Sequence, residues 1–262
     1  EIKVKKTGIE HGTLTLVYDD QKYEITTLRK DVSTDGRHAN VKYTENWKKD
    51  SERRDFTINA IYLDQKGKVY DPQNGLKDLK NNVVKFIGNP DSRIKEDYLR
   101  ILRFLRFSIQ YKNFDISQET QKAIRKNLNG IKNLSKERVF SELKKIVELK
   151  NLYDLSKNEF LFNIFKLIFP ELLYFERLKK LEKISNKIEF QIENDIIFAI
   201  MLLDFSNNHK YFFHKYNLPN NTRKNLDLYS EAIKLSQKNE NFFLQDLNKN
   251  IFQYGKSEIK KM

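Results

Sequence analysis

The chain contains no cysteine. Disulfides and thiolate metal sites are therefore excluded, redox chemistry lacks its usual side chain, and a reducing compartment is compatible with the composition. No uninterrupted apolar run approaches the ~20 residues of a membrane-spanning helix. The longest apolar cluster, Ile196 to Leu203, is far shorter, and no signal peptide stands at Glu1. A soluble, cytoplasmic protein with no membrane partner is expected. Glycine is sparse, eight in 262 residues, and few interrupt the chain beyond Asn89-Pro90. What is abundant is positive charge: 49 Lys and Arg against 36 Asp and Glu, a formal net charge of +13. That balance favours polyanionic partners through phosphate neutralisation and counterion release. The same charge spread over solvated helix faces would need no partner, and charge alone does not separate the two readings.

The length accommodates one large domain or several modules with real cores, and the patterning points to modules. Thr13–Tyr18 and Tyr23–Leu28, joined by the turn-like Asp19-Asp20-Gln21, read as a β-hairpin rich in β-branched and aromatic residues. Asp31 to Arg37 is polar and reads as a loop over a site. Short strands around Ala60–Leu63 and Val83–Ile87 would complete a mixed sheet, with Asp71-Pro72 and Asn74-Gly75 marking the turn between them. From Asn89 the pattern becomes helical, over Ile94–Gln110, Ser117–Leu128, Ser135–Leu149, Phe160–Phe169, Glu176–Ser185, Glu193–Leu203 and Asn221–Ser236. The expectation is an α+β chain divided into residues 1–88, 89–150 and 151–262.

Chemistry-bearing residues concentrate in two runs, Arg53-Arg54-Asp55-Phe56-Thr57-Ile58-Asn59-Ala60 and Glu96-Asp97-Tyr98-Leu99-Arg100 through Arg103 and Arg106. On one α-helix, Asp97, Arg100, Arg103 and Arg106 step by three residues. Each step falls about 60° short of a full turn, so the four form a slowly winding polar stripe. A solvated face with one Asp–Arg pair would look the same. A carboxylate accepting an exocyclic amino proton beside an arginine donating to a ring nitrogen would accept cytosine and adenine and reject uracil and guanine. Asp97 and Arg100 are such a pair, and Arg103 and Arg106 could hold a triphosphate through guanidinium forks.

These runs, together with Asp71-Pro72-Gln73-Asn74-Gly75-Leu76-Lys77-Asp78-Leu79 and Glu137-Arg138-Val139-Phe140-Ser141-Glu142, resemble consecutive motifs of bacterial class II tRNA nucleotidyltransferases. The resemblance is specific from Gly8 to about Leu149. It implies an incomplete polymerase-β-like nucleotidyltransferase head (1–88), a helical neck carrying a nucleotide-template helix (89–150), and a helical, tRNA-binding body and tail (151–262). It further implies addition of CCA to tRNA from CTP and ATP, with Asp97 and Arg100 reading the base and Glu96 steadying the template turn. Arg54, Arg103 and Arg106 would contact ribose or phosphates, and Asn59 would support the pocket or merely end a strand. Asp35, Gly36 and Arg37 match the family's flexible loop, which is implied to help switch specificity from C to A. Asp71, Asn74, Gly75 and Asp78 read as architectural, and Glu137, Arg138 and Glu142 as ion-pair partners or functional residues of the neck. Lys179, Lys180, Lys183, Lys215, Arg223 and Lys224 are candidate tRNA contacts.

The resemblance also implies Mg²⁺, held in the family by an Asp-x-Asp strand motif. No Asp-x-Asp occurs in this sequence, nor does the glycine-rich turn that precedes it in the family. The metal ligands are expected upstream of Glu1, in a longer protein or a separate N-terminal fragment. Glu24 is the one candidate supporting carboxylate, and the chain alone is expected to lack transfer activity. An A-adding enzyme, a poly(A) polymerase and a non-catalytic RNA-binding module are the competing readings.

Overall fold

A computed structural model describes residues 2–5, 12–34, 39–185, 192–239, 241–242, 245 and 247–261. The chain forms two compact units, Glu1–Lys132 and Asn133–Met262. Residues 89–132 therefore fold as one body with the strands that precede them.

In the first unit, β1 (Lys3–Lys5), β2 (Thr13–Tyr18) and β3 (Gln21–Thr26) form an antiparallel sheet in that order. The β2–β3 turn is the two residues Asp19 and Asp20, whose φ of 50° and 58° suit a tight hairpin. β4 (Arg29–Thr34) and β5 (Ala39–Tyr43) pair antiparallel, so the polar stretch read as a loop from Asp31 continues as strand to Thr34. Asp35, Gly36 and Arg37 lie outside the described residues. β6 (Tyr62–Leu63) and β7 (Val69–Tyr70) close a short hairpin. The expected strand at Val83–Ile87 is instead a single bridge, Phe56 to Phe86, flanked by hydrogen bonds from Thr57 N to Lys85 O and Ile87 N to Asp55 O, each of 3.0–3.1 Å. Positive φ at Asn82 (55°) and Gly88 (80°) turns the chain away on both sides.

The helices of this unit are α1 (Trp47–Glu52), α2 (Gly75–Lys80), α3 (Pro90–Glu96), α4 (Leu99–Gln110) and α5 (Gln118–Asn127). Their starts follow from capping chemistry: Asn46 accepts from Lys49 N at 3.1 Å, and Asn89 accepts from Ser92 N at 3.0 Å with Pro90 in the first helical position. α2 begins where Asp71 accepts from the amides of Gly75 (2.7 Å) and Leu76 (2.9 Å). Asn74 adopts the left-handed conformation there, φ 56°. Gly75 is required for closeness: a Cβ would stand 2.1 Å from the Thr57 carbonyl oxygen. α4 buries Ile101, Leu102, Phe104, Leu105 and Ile109 almost completely. Phe104 stacks on Phe86 at 5.5 Å, and Phe56 packs on Phe86 at 4.8 Å. Each such ring contributes about 2–3 kcal/mol by burial, which fixes α4 against the Phe56 segment.

The second unit is helical: α6 (Lys136–Val147), α7 (Glu159–Ile168), α8 (Leu178–Ser185), α9 (Asn194–Leu202), α10 (Asn208–Tyr216), α11 (Asn220–Lys238), α12 (Leu247–Tyr254) and α13 (Lys256–Lys261). Its core is a run of aromatic contacts: Phe140–Phe198 at 5.7 Å, Phe198–Phe212 at 6.0 Å, Phe212–Tyr216 at 4.8 Å and Tyr216–Phe169 at 5.8 Å. α10 ends at Asn217, φ 48°, and Pro219 precedes α11. Among the described residues no helix is long and apolar enough to cross a membrane.

Candidate functional site

The chain breaks between α3 and α4, so the sequence reading of one helix over Ile94–Gln110 is corrected. Asp97 has φ −156° and ψ 107°, an extended backbone, and its carboxylate accepts from Leu99 N at 3.1 Å while its carbonyl accepts from Arg100 N at 3.0 Å. A short acidic side chain that captures nearby amides competes with helix continuation. Asp97 therefore sits on an elbow, and only Arg100, Arg103 and Arg106 share the helical stripe. The elbow is seated on Gly130, where a Cβ would lie 2.2 Å from the Tyr98 ring.

Glu96 closes this elbow. Its Oε2 accepts from Arg93 Nη1 at 2.5 Å and from Arg100 Nη1 at 2.7 Å, and Arg100 Nη1 also donates to the Arg93 carbonyl at 2.7 Å. Arg100 is thus anchored by one nitrogen. Among the described residues its Nε and Nη2 make no hydrogen bond, which leaves two donor nitrogens for a ligand.

The Arg53–Asn59 segment forms the other wall. Asp50, fully buried in α1, accepts on Oδ1 from Arg29 N (3.0 Å) and from Arg53 Nε (2.9 Å) and Nη2 (2.7 Å). Its Oδ2 accepts from Arg54 Nη2 (3.1 Å) and the Tyr62 hydroxyl (2.8 Å). Burial alone would raise the Asp50 carboxyl, but the Arg29 amide, the Arg53 guanidinium and the Tyr62 hydroxyl outweigh it and hold it below the ordinary carboxylate range. Burial and the neighbouring Asp50 push Tyr62 up to about 12. The Tyr62 ring packs edge-on against Trp47 at 4.8 Å.

Asp55 is the second buried carboxylate. It accepts from Arg103 Nε (2.5 Å), Asn59 Nδ2 (2.9 Å) and Phe56 N (2.9 Å). Burial opposes its ionisation, yet Arg103 and Asn59 keep its pKa low. Asn59 is therefore a partner of Asp55 in the turn Thr57–Asn59. Arg103 leaves both Nη atoms without a hydrogen bond among the described residues, and the Arg106 guanidinium lies 4.0 Å over the Phe107 ring. Arg54 and Arg103 are the more open side chains, 37% and 30% exposed, against 13% for both Arg53 and Arg100. Five guanidinium groups (Arg53, Arg54, Arg93, Arg100 and Arg103) stand against four carboxylates (Asp50, Asp55, Glu96 and Asp97). That surplus of fixed positive charge suits a polyphosphate.

The structure thus links Arg54, Glu96, Arg100, Arg103 and Asn59 with Asp97 at the elbow, gives Asp55, quoted in the sequence only as part of its motif, a place in the network, and adds Asp50 and Arg93, which the sequence reading did not single out. The i,i+3 and i,i+4 spacings of Asp50 to Arg53 and Arg54 were the available signal. Glu24 lies on the exposed strand β3 opposite Thr15, far in sequence from this network. Among the described residues no group of three or more His, Asp or Glu could hold a metal, and Asp50 and Asp55 are occupied by guanidinium groups. The described residues do not fit a Mg²⁺ pair.

In the second unit, Lys215 donates to the buried Glu171 at 2.6 Å, and Arg223 donates to Leu218 O at 2.7 Å. These two candidate RNA contacts hold the fold together, whereas Lys179, Lys180 and Lys224 are exposed. The Lys183 side chain lies outside the described residues. Glu137 accepts from Asn217 at 2.8 Å, and the buried Glu142 pairs with Lys145 at 3.3 Å.

Residues 1–85 match the family described as the Poly A polymerase head domain, and residues 113–175 match the probable RNA and SrmB-binding site of polymerase A. The chain is 49% identical over 146 residues to the mitochondrial CCA tRNA nucleotidyltransferase 1 of Homo sapiens, covering 55% of this chain and 34% of that protein. It is 34% identical over 232 residues to the CCA-adding enzyme of Staphylococcus aureus strain MRSA252, covering 86% of this chain and 54% of that protein. The chain spans about a third to a half of the length of these curated relatives. The fold matches the Bacillus stearothermophilus CCA-adding enzyme crystallised with CTP, with a TM-score of 0.64 at 23% identity over 88% of this chain and 56% of that one. A structure of a tRNA-processing enzyme complex matches with a TM-score of 0.72 at 21% identity over 99% of this chain and 72% of that one. With its head and RNA-binding regions in family order, the chain belongs to the tRNA nucleotidyltransferase and poly(A) polymerase family.

Proposed function

We propose that the intact protein adds C, C and A to the 3′ end of tRNA from CTP and ATP, and that this chain supplies base reading and RNA binding. The carrying observation is the elbow. Asp97 stands three residues from Arg100, whose Nε and Nη2 are left open by its single-nitrogen anchor, next to the arginine-rich wall. Asp97 would accept the exocyclic amino proton of cytosine or adenine, and Arg100 would donate to the adjacent ring nitrogen. Arg54 and Arg103, with Arg106, would hold the ribose and phosphates. Shape and phosphate contacts along the exposed Lys179, Lys180 and Lys224 would hold tRNA without reading its sequence.

Mg²⁺ ligands would come from outside this chain, from a longer protein or a separate N-terminal fragment, so the chain alone would bind nucleotides without transferring them. Poly(A) or A-only addition is the second reading, favoured by the description of the matched head family. Equilibrium binding of CTP, ATP, UTP and GTP to this chain tests the proposal, alongside incorporation of labelled CTP and ATP with Mg²⁺ into tRNA lacking its terminal CCA. Preference for CTP and ATP, lost in Asp97→Ala and Arg100→Ala, with no incorporation, is expected. Equal binding of all four nucleotides overturns the base-reading assignment, preference for ATP alone favours the second reading, and incorporation overturns the placement of the metal ligands.

A further inference from the structure

We infer that Arg93 is a specificity-determining positioning residue, which locks the base-reading elbow to the arginine wall so that the two ends of a nucleotide are measured against one rigid frame. The inference rests on the nucleotide-binding reading above. The Arg93 side chain is only 12% exposed, and its fork divides between the two walls. Nη2 donates to the carbonyls of Arg53 (2.7 Å) and Arg54 (2.6 Å), forty and thirty-nine residues away in sequence. Nη1 donates to Glu96 Oε2, the same oxygen that anchors Arg100, and the Arg93 carbonyl accepts from Arg100 Nη1. Among the described residues, both side-chain hydrogen bonds that orient the Arg100 guanidinium therefore end on the Arg93 carbonyl or on the carboxylate that the Arg93 side chain holds. On the other side, the same guanidinium fixes the peptide units that carry Arg53 and Arg54.

This geometry needs a planar fork. Lysine would keep the positive charge, but a single ammonium cannot serve two carbonyls and a carboxylate in these directions. Arg93 has both Nη atoms spent within the protein, Nη1 on Glu96 and Nη2 on the Arg53 and Arg54 carbonyls, whereas both Nη atoms of Arg103 make no hydrogen bond among the described residues. Base selection by one carboxylate and one guanidinium tolerates little displacement, since an error on the order of 1 Å in a positioned group costs about two orders of magnitude in function. Removing the latch would therefore alter the choice among bases more than the hold on phosphate.

The test uses the full chain and Arg93→Lys, with Arg93→Gln as a second variant and far-UV circular dichroism to confirm folding. Affinities for CTP, UTP and inorganic tripolyphosphate are measured, and amide hydrogen exchange is followed at Leu99, Arg100 and Ile101, whose amides bond within the elbow. In Arg93→Lys the CTP-to-UTP preference is expected to fall by about tenfold or more, with tripolyphosphate affinity within about threefold of the parent. Faster exchange in the elbow, with α5 unchanged, is expected alongside. Retained CTP preference in Arg93→Lys overturns the inference. So does a parallel loss of CTP, UTP and tripolyphosphate binding, which would make Arg93 a phosphate ligand or a general support of the fold. If the parent chain does not distinguish CTP from UTP, the base-reading proposal itself fails. Hydrogen exchange then still decides whether Arg93 latches the elbow, and unchanged exchange there removes that role too.

Discussion

Replacing Asp50 with asparagine should be among the most damaging isosteric changes in the first unit. The carboxylate is fully buried and takes hydrogen bonds from the Arg29 amide, the Arg53 and Arg54 guanidiniums and the Tyr62 hydroxyl. Asparagine keeps one acceptor oxygen, but its amide nitrogen would face guanidinium donors, and Arg53, 13% exposed, would lose its counter-charge. Breaking one side of a buried pair costs about 3–5 kcal/mol. Because Arg54 is partly solvated, the lower end applies, about 3 kcal/mol, or roughly 10 °C in Tm for a unit of this size. Urea unfolding followed by circular dichroism at pH 7 measures it, with the midpoint compared at constant slope. The double variant Asp50→Asn with Arg53→Met removes the stranded charge and should recover at least about 1 kcal/mol. The pH dependence has a fixed sign. The folded pKa of Asp50 lies below its unfolded value, so its contribution is complete above the ordinary carboxylate range and is lost as pH falls through the folded value. The gap between parent and variant should therefore close on acidification below about pH 4. A variant within about 0.5 kcal/mol of the parent at pH 7 would refute the reasoning, as would a gap that widens in acid.

Gly75→Ala places a methyl 2.1 Å from the Thr57 carbonyl oxygen, against backbone that cannot yield locally. A loss of about 2 kcal/mol or more is expected by urea unfolding, and an unchanged midpoint would show that the α2 turn is not held against Thr57. In the second unit, burial lowers the pKa of His209 despite its 3.1 Å contact with Asp227. The neutral imidazole therefore stabilises the fold above its ordinary pKa of about 6.5, and that contribution is lost as pH falls toward the folded value. Thermal unfolding of the parent should weaken from pH 7 to pH 5 more than that of His209→Gln, and identical pH profiles would refute the assignment.

In the second unit α6, α7, α8, α9 and α11 were legible because they carry apolar periodicity, with Asn221–Ser236 observed as Asn220–Lys238 and Phe160–Phe169 as Glu159–Ile168, whereas α10, α12 and α13 were not singled out. Boundaries shift by a residue or two; the start of α7 is set by the Asn158 side chain, which accepts from Leu161 N at 2.9 Å. Arg54, Arg100 and Arg103 could be picked out because arginine in a motif is conspicuous. What they bond to could not, since Arg93 meets Arg53 and Arg54 across some forty residues and Asp55 meets Arg103 across forty-eight. Local spacing carries no trace of such contacts. The Asp97 break was hidden for a different reason. The residues around it are good helix formers, and the three-residue spacing of Asp97 to Arg106 continues through the elbow as if the helix did. A side chain capturing the Leu99 amide is a local competition that helical periodicity does not register. The strand expected at Val83–Ile87 failed because positive φ at Asn82 and Gly88 bends the chain before a ladder can form.

Trp47 is the sole tryptophan of the chain. Its indole lies edge-on to the Tyr62 ring at 4.8 Å, and the Tyr62 hydroxyl shares the Asp50 oxygen that binds Arg54. The molecule therefore carries its own optical probe, one ring and one carboxylate removed from the Arg54 guanidinium proposed above to meet the nucleotide. An anion that drew Arg54 away from Asp50 would change the acceptor seen by Tyr62 and, through the ring, the surroundings of the indole. Emission excited at the red edge of indole absorption would follow that rearrangement in unlabelled protein, so occupancy of the arginine wall can be titrated by light alone.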